Sequence, residues 1–333
     1  MITLNNIKEA RKNLENIAVN TPLAKAPILS KELNAEIFLK KENLQLTGSF
    51  KLRGAFNKVA TLSKKQKDNG VVAASAGNHA QGLAYAAQYF SCEATIFMPE
   101  ATPLTKVSGV RSYGAEVVLI GENFDEAYEA ATKFALENNK EFIHPFADDE
   151  VIAGQGTIAL EILEEIKDLD RIIVPIGGGG LISGIAIAAK TINPNIKITG
   201  VVASGAKGMK DSFESQMPID SVSVRTIADG IAVRDVTPKL LDIILEYVDE
   251  IVEVTDNETA NAILFLLEKH KLMVEGAGAV ATAAIMHGKV DIENSKVCAI
   301  VSGGNIDVTM LSLIIEKGLV KSNRKMNLIV TLM

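Results

Sequence analysis

Short apolar runs alternate with longer amphipathic runs along most of this chain of 333 residues, and this alternation restricts the folds open to it. The apolar runs predict strands at 71–74, 94–98, 115–120, 171–175, 196–203 and 296–301. The amphipathic runs predict helices at 78–90, 103–113, 124–137, 181–190, 255–269 and 308–317. Strands that are apolar throughout and alternate with helices are typical of parallel sheets covered on both faces. We therefore predict an α/β protein with doubly wound, mostly parallel sheets, and the length favours about two domains.

Composition excludes several classes of function. The net charge of −7 provides no basic face for nucleic acid. The two cysteines, Cys92 and Cys298, lie too far apart in sequence for a zinc motif, and they fit a reducing cytoplasm. Residues 172–189 carry no charge, but Pro175 and four glycines would break a lipid-exposed helix there, so we predict no membrane span.

The four glycines lie between the predicted strand that ends at Pro175 and the helix that begins at Leu181: Gly177, Gly178, Gly179 and Gly180. Free backbone N–H groups beside a helix N-terminus form a cup for a phosphate group. The loop is neither a Rossmann fingerprint, since no acidic residue ends a strand at the expected distance, nor a Walker loop, since no Gly-Lys-Ser/Thr follows. A flexible turn is the alternative, although four glycines cost conformational entropy that a plain turn does not need.

Lys51 stands in the segment 49–54 (SFKLRG), next to Phe50 and three residues after Gly48. Small residues and glycines here suit a tight entry into a helix and the close approach of a flat ligand to the backbone. A partly desolvated lysine amine is a nucleophile toward carbonyls, and Schiff-base formation is its leading use. An ordinary solvated lysine is the alternative.

Two further loops follow predicted strands, where open α/β sheets bind ligands. In 75–82 (SAGNHAQG), N–H groups at the helix start can hold a substrate carboxylate, and Asn78 can donate to a phenolate-type oxygen. His79 is a candidate general base, but a capping or packing role fits equally well. In 302–305 (SGGN), the hydroxyl of Ser302 can meet a ring nitrogen or can cap the helix at 308–317. Glu275 lies either near that ring or at the start of the following helix.

The four loops together supply an amine, a phosphate cup, an oxygen ligand and a hydroxyl. A phosphorylated aldehyde with a pyridine ring uses all four, and pyridoxal 5′-phosphate is such a molecule. A small amino acid is the expected substrate.

Over residues 5–320 the chain resembles the fold type II pyridoxal-phosphate enzymes (tryptophan synthase β-like), and within them the threonine dehydratases. The motifs that carry the resemblance are 49–54, 75–82, 151–157 (VIAGQGT), 177–181 and 302–304. The resemblance implies a larger cofactor-binding domain formed by 1–49 and 147–320, and a smaller inserted domain at 50–146.

The resemblance also implies a role for each motif. Phe50 and Lys51 would contact the cofactor, with Lys51 holding its aldehyde, and Asn78 would contact the ring hydroxyl. Residues Gly177 to Leu181 would bind the phosphate and Ser302 would face the pyridine nitrogen. The substrate carboxylate would be held by Ser75, Ala76, Gly77, Asn78 and His79.

The implied activity is β-elimination of L-threonine, and of L-serine, to 2-oxobutanoate or pyruvate with release of ammonia. Lys51 would take the Cα proton, and Ser302 would leave the ring nitrogen largely neutral, which favours loss of the β-hydroxyl over transamination. The resemblance further implies a cytoplasmic, allosteric homo-oligomer, a dimer or tetramer, of isoleucine biosynthesis or threonine catabolism.

The chain differs from the related serine racemases at two places, and both differences argue against racemase activity or a metal site. The related serine racemases use a serine where Ala76 stands, so racemisation should be weak. They also bind a divalent cation through carboxylates at positions that correspond to Val202 and Lys207, so no metal site is expected.

Alternatives remain at this stage: a serine or β-hydroxyaspartate dehydratase, a serine racemase, a β-replacement enzyme, and a non-enzymatic phosphometabolite-binding protein. The tail 321–333 is either an edge strand or the start of a truncated ACT regulatory domain, and its last run, 327–333, predicts a strand.

Overall fold

A computed structural model describes residues 2–222 and 224–326 of the chain. Within these ranges the strands are β1 (Leu23–Lys25), β2 (Glu36–Lys40), β3 (Val71–Ala74), β4 (Ala94–Met98), β5 (Glu116–Leu119), β6 (Glu141–Phe142), β7 (Arg171–Pro175), β8 (Lys197–Ala203), β9 (Glu250–Val254) and β10 (Lys296–Ile300).

The helices in the same ranges are α1 (Leu4–Asn13), α2 (Pro27–Glu32), α3 (Lys51–Thr61), α4 (Lys64–Asn69), α5 (Asn78–Tyr89), α6 (Leu104–Arg111), α7 (Phe124–Glu137), α8 (Asp149–Glu165), α9 (Gly180–Ile192), α10 (Gly208–Ser215), α11 (Pro238–Tyr247), α12 (Asp256–Phe265), α13 (Gly276–Met286) and α14 (Val308–Lys321). Short 3₁₀ turns occupy Glu42–Leu44 and Asp229–Ile231, and a π-helical turn, Leu266–His270, continues α12. None of these helices combines the length and apolar character needed to cross a membrane.

The strands form two sheets. The first has the order β1-β2-β10-β7-β8-β9, in which only the β1–β2 pair is antiparallel, and the second has the order β5-β4-β3-β6 and is parallel throughout. Every residue of β3, β4 and β7 is buried, which explains why these strands appear in the sequence as continuous apolar runs. The predicted α/β class with mostly parallel sheets is confirmed.

The two sheets draw on different parts of the chain. Strands β3 to β6 lie between residues 71 and 142, and the six-stranded sheet is built from segments on either side of them. This pattern agrees with an inserted smaller domain, while the boundaries at 49/50 and 146/147 stay a prediction.

Helix α3 connects the two regions, because it packs against α5 on one side and α8 on the other. The contact with α8 is close: a Cβ on Gly54 would lie 2.6 Å from the carbonyl oxygen of Val151, and one on Gly154 would lie 2.6 Å from that of Arg53. The motifs 49–54 and 151–157 therefore meet, and their glycines permit backbone-to-backbone packing.

Several helix ends differ in detail from the sequence prediction. Thr255, the first residue of the predicted helix, is the N-cap of α12 and forms a capping box with Glu258. Pro103 occupies the N-cap of α6 instead of its first turn, and α14 runs on to Lys321. The strand predicted at 327–333 lies outside the described residues.

Candidate active site

The predicted loops converge where parallel strands end. The N–H of Phe50 donates to the carbonyl of Ser302 at 3.1 Å, and Asn305 Nδ2 donates to Asn78 Oδ1 at 2.7 Å. Residues up to 258 positions apart are thereby brought into one cleft, since Asn305 also bonds the carbonyl of Thr47. The structure thus assembles the sequence-predicted residues as one group.

Lys51 is the first residue of α3 and lies among aromatic rings. Its Nζ donates to the carbonyl of Pro145 at 2.8 Å and lies 5.4 Å from the ring centre of Phe50 and 6.0 Å from that of Phe146. Burial lowers the pKa of the Lys51 amine to about 8, while the nearby carboxyl of Glu275 opposes this shift. The neutral, nucleophilic amine is therefore readily populated near neutral pH.

The glycine loop is shaped by contact with Phe146. Gly179 is the N-cap of α9 with a φ of +95°, a conformation that favours glycine. A Cβ on Gly178 would overlap the Phe146 ring, and one on Gly180 would lie 2.6 Å from the Phe146 carbonyl oxygen. A plain turn does not need such close contact, so packing against Phe146 explains why residues 178 and 180 are glycines.

The same loop offers unpaired donors. Among the described residues, no carbonyl or side chain accepts a hydrogen bond from the N–H groups of residues 177–181, and the N–H of Ser183 is the first to pair, with Gly179 O at 3.0 Å. A row of free N–H groups at a helix N-terminus suits an anion, so the geometry fits the phosphate of the proposed cofactor.

The loop at 75–79 opens α5, whose N-cap is Gly77, so His79 does not cap this helix. The Nε2 of His79 lies 3.0 Å from the carbonyl of Ile143, which only accepts, so Nε2 carries the proton. Burial and then the Lys51 charge lower the pKa of His79 to about 3, so the ring is neutral at physiological pH. This hydrogen bond ties the start of α5 to the residue after β6.

Buried polar atoms around the cleft have no partner within the part of the chain that the structure describes: Thr47 Oγ1, Ser49 Oγ and His79 Nδ1. Buried polar groups are nearly always hydrogen-bonded in proteins. These three atoms are the kind of donors and acceptors that a polar ligand would satisfy, so they too fit a bound cofactor and substrate.

Ser302 is buried, and its hydroxyl donates to the carbonyl of Ala277 at 3.3 Å. Its alternative role as an N-cap is wrong, because Asp307 caps α14 through Thr309 and Met310. The hydroxyl proton is engaged by the carbonyl of Ala277, so Ser302 would have to turn its hydroxyl away from that carbonyl to donate to a ring nitrogen.

The turn 144–147 is a part of the site that sequence analysis missed. His144 Nδ1 accepts from the N–H groups of Phe146 at 3.3 Å and Ala147 at 2.9 Å, which fixes the turn that presents the Pro145 carbonyl to Lys51. Burial, and then the Lys51 charge, lower the pKa of His144 to about 4, so this acceptor stays unprotonated. The local signal in this stretch is a single proline, Pro145, which marks a turn but does not identify a site.

A buried ionic cluster beside Lys51 was also missed. Arg53 is fully buried; its Nε donates to Glu42 at 2.8 Å and its Nη1 to Glu161 at 2.6 Å, and Lys40 pairs with Glu161 at 2.5 Å. The cluster ties the start of α3 to β2, the 3₁₀ turn after it and α8.

The fold and the site define a class of protein. The family described as pyridoxal-phosphate dependent enzyme matches residues 14–303. The chain belongs to this family, and its cofactor is pyridoxal 5′-phosphate, as the sequence predicted.

Individual relatives are more specific. The chain is 51% identical over 325 residues, which cover 98% of it and 81% of the relative, to the L-threonine ammonia-lyase of Thermotoga maritima. It is 44% identical over 96% of its length, and 93% of the relative's, to the catabolic L-threonine dehydratase of Staphylococcus aureus.

Solved structures agree on the architecture. Threonine deaminase isoform 2 of Solanum lycopersicum, in its processed form, superimposes with a TM-score of 0.89 at 39% identity, covering 94% of this chain and 86% of that one. Maize serine racemase superimposes with a TM-score of 0.90 at 33% identity, covering 97% and 99%.

Proposed function

We propose that this chain is an L-threonine ammonia-lyase, which converts L-threonine to 2-oxobutanoate and ammonia and L-serine to pyruvate and ammonia. One observation supports this chemistry above all. Lys51, a desolvated lysine at the start of α3, shares a cleft with the glycine loop, whose backbone N–H groups at 177–181 are free to bind an anion. The choice of threonine rests on relatives that bear this activity in their names at 44% and 51% identity.

The residues divide the work as follows. When bound, the cofactor supplies an aldehyde and an electron sink. Lys51 would hold the cofactor aldehyde, and its Nζ, whose pKa burial lowers to about 8, would accept the Cα proton of the substrate. The N–H groups of residues 177–181 would hold the phosphate, and Asn78 would hold the ring hydroxyl.

Substrate binding is assigned to the loop that opens α5. The N–H groups of residues 75–79, at a helix N-terminus, would hold the substrate carboxylate. The uncharged side chain of Ser302 would face the ring nitrogen without fully protonating it, which favours elimination over transamination.

The proposal is tested on the purified holoenzyme. We expect visible absorbance that borohydride bleaches, a pyridoxyl mass on Lys51, and 2-oxobutanoate formation with a higher kcat/KM for threonine than for serine. Lys51→Ala should lose at least about 10³-fold in turnover, since it removes both nucleophile and base. A colourless protein that still binds phosphate esters would instead indicate a phosphometabolite-binding protein.

We further propose a cytoplasmic homo-oligomer, a dimer or tetramer. Cys92 and Cys298 are both buried free thiols, as expected for a reducing compartment. Light scattering of the purified protein gives the subunit number. Inhibition by isoleucine would place the enzyme in isoleucine biosynthesis, and activation by a nucleotide would favour threonine catabolism.

A further inference from the structure

A buried carboxyl that the proposed mechanism does not use lies at the back of the cleft. Glu275 is 5% exposed and stands at the N-cap position of α13, but its side chain does not cap that helix. Instead its Oε1 accepts from Asn78 Nδ2 at 2.7 Å. A Cβ on Gly303 would collide with the same oxygen, so glycine at 303 makes room for this contact.

The hydrogen-bond chain fixes which way each amide points. The carbonyl of Thr47 only accepts, so the Asn305 atom 2.9 Å from it must be the nitrogen. That nitrogen also donates to Asn78 at 2.7 Å, so the Asn78 atom there is the oxygen. The nitrogen of Asn78 therefore faces Glu275, and Glu275 must accept.

This leaves Asn78 with one donor to spare. Its amide nitrogen carries two hydrogens, and Glu275 takes one of them. The other remains for the cofactor ring oxygen to which the family resemblance assigns Asn78. A carboxylate acceptor polarises the amide more strongly than a neutral one, because charge-assisted bonds are the stronger ones.

The charged groups that act on Glu275 come from three elements. The charge of Glu275 raises the pKa of Lys51 on α3. In turn, Lys106 on α6 lowers the pKa of Glu275, and Asp229 raises it. Burial, followed by the Asp229 charge, raises the pKa of Glu275 to about 7, and the Asn78 hydrogen bond and then Lys106 act against this. Lys106 and Asp229 form an ion pair with each other at 2.8 Å, and the Asp229 side chain is 62% exposed. The residue after Asp229 lies beside the buried carboxyl, because a Cβ on Gly230 would stand 3.6 Å from Glu275 Oε1.

We propose that Glu275 is a positioning residue of the elimination, which as a carboxylate fixes the Asn78 amide against the cofactor ring and whose charge the rim pair Lys106–Asp229 adjusts. The inference rests on the proposed function for its kinetic readout only. The ionised form is the active one, so kcat/KM should fall on the acid side as Glu275 gains a proton, near pH 7.

The rim pair gives the sharpest test, because its two members act on Glu275 with opposite sign. Asp229→Asn removes a negative charge, lowers the Glu275 pKa and should move the acid limb down by ~0.3 pH unit, and Lys106→Met should move it up by a similar amount. A purely structural role for the ion pair predicts equal shifts in the same direction, since either variant breaks it. The double variant should return close to the wild-type midpoint.

Two readouts are taken on the holoenzyme: the pH profile of kcat/KM for threonine, and the pH titration of the visible absorbance of the bound cofactor. Both should shift together in each single variant, and both shifts should shrink in 1 M salt, which screens exposed charges. Single variants that shift the limb in the same direction, or an absorbance that does not move, would overturn the proposal.

Glu275→Gln is the direct variant. A glutamine oxygen can still accept from Asn78, so the geometry is kept and only the charge is lost. We expect a fall in kcat of at least about tenfold with the acid limb abolished, and a blunted spectral titration. An unchanged acid limb in this variant contradicts the proposal. If the unaltered holoenzyme does not turn over threonine at all, the proposed function is refuted. The spectral shifts of the Lys106 and Asp229 variants would still decide the role of Glu275.

Discussion

At the scale of single residues, the glycine loop depends on the absence of side chains, because Phe146 occupies the space that a side chain would need. Gly178→Ala places a methyl group inside the space of the Phe146 ring. Overpacking of this kind typically costs about 1–3 kcal/mol, and the Phe146 ring that would have to move lies 6.0 Å from Lys51 Nζ. We expect cofactor affinity to fall at least about tenfold, measured by titrating apoenzyme with pyridoxal 5′-phosphate and following absorbance.

Gly109→Ala is the matched control for that variant. Gly109 lies within α6, and a Cβ there would first meet the Gln81 side chain at 3.7 Å, which is ordinary contact. Alanine favours a helix interior over glycine by roughly 0.5–1 kcal/mol, so this variant should unfold at slightly higher denaturant with unchanged cofactor affinity. If both variants weaken the cofactor equally, the overlap with Phe146 is not the cause.

Ala76 belongs to the same scale and bears on which reaction the site performs. Racemisation needs a proton donor on each face of Cα, and a methyl side chain cannot supply one opposite Lys51. We expect D-serine formation from L-serine to be less than about one-hundredth of pyruvate formation, because a missing acid typically costs 10²–10⁴-fold. Ala76→Ser should raise the ratio of D-serine to pyruvate, measured by chiral chromatography; rapid D-serine formation by the unaltered enzyme would contradict the assignment.

At the scale of elements, α3 is held at its N-terminus by the buried cluster of Arg53, Glu42, Glu161 and Lys40. Burial alone would raise the pKa of Glu42, but the charge and hydrogen bonds of Arg53 outweigh it and hold that pKa below its usual range. A depressed pKa means that the stabilisation is present above the unfolded value, about 4.3, and is lost as the pH falls through the folded value.

Glu42→Gln should therefore destabilise the protein at pH 7 by roughly 3–5 kcal/mol, the usual cost of leaving a buried charge without its partner. The loss should shrink as the pH falls below about 4. Urea unfolding at several pH values measures both effects. Glu9→Gln is the control, because Glu9 pairs with Lys12 on the exposed face of α1, and its loss should cost less than about 1 kcal/mol.

The strands and the Arg53 cluster show how much of the fold the sequence alone could predict. Strands such as 71–74 and 94–98 were predicted at their observed bounds, because apolar runs bounded by polar turns depend on local sequence. Strands β1, β6 and β9 escaped prediction, since they are short or half exposed, and β2 escaped although four of its five residues are buried. The Arg53 cluster escaped because isolated charges in a sequence look like surface residues, and only the fold brings their partners, up to 121 positions away, into contact.

The site residues also fall into those that local sequence could predict and those that it could not. Lys51, Asn78, the glycine loop and Ser302 lie at strand ends or helix starts, so local pattern could identify them. The Pro145 carbonyl and the Asn78–Glu275 bond depend on contacts across 94 and 197 residues, which no local pattern encodes.

At the scale of the whole molecule, the cofactor would lie between elements of both sheets. Asn78 follows the strand β3 of the four-stranded sheet, whereas the glycine loop and Ser302 follow β7 and β10 of the six-stranded sheet. A ligand that contacts both groups binds the folded state alone, so it adds RT ln(1 + [L]/Kd) to the free energy of unfolding.

Removal of the cofactor should therefore lower the melting temperature of the whole chain. At a free concentration one hundred times Kd the stabilisation is about 2.7 kcal/mol, which for a protein of this size corresponds to about 4 °C. Pyridoxal without its phosphate, at the same concentration, should restore much less of the shift, because it leaves the N–H groups of 177–181 unpaired. Equal restoration by both compounds, measured by calorimetry on apoenzyme, would rule out the glycine loop as the phosphate site.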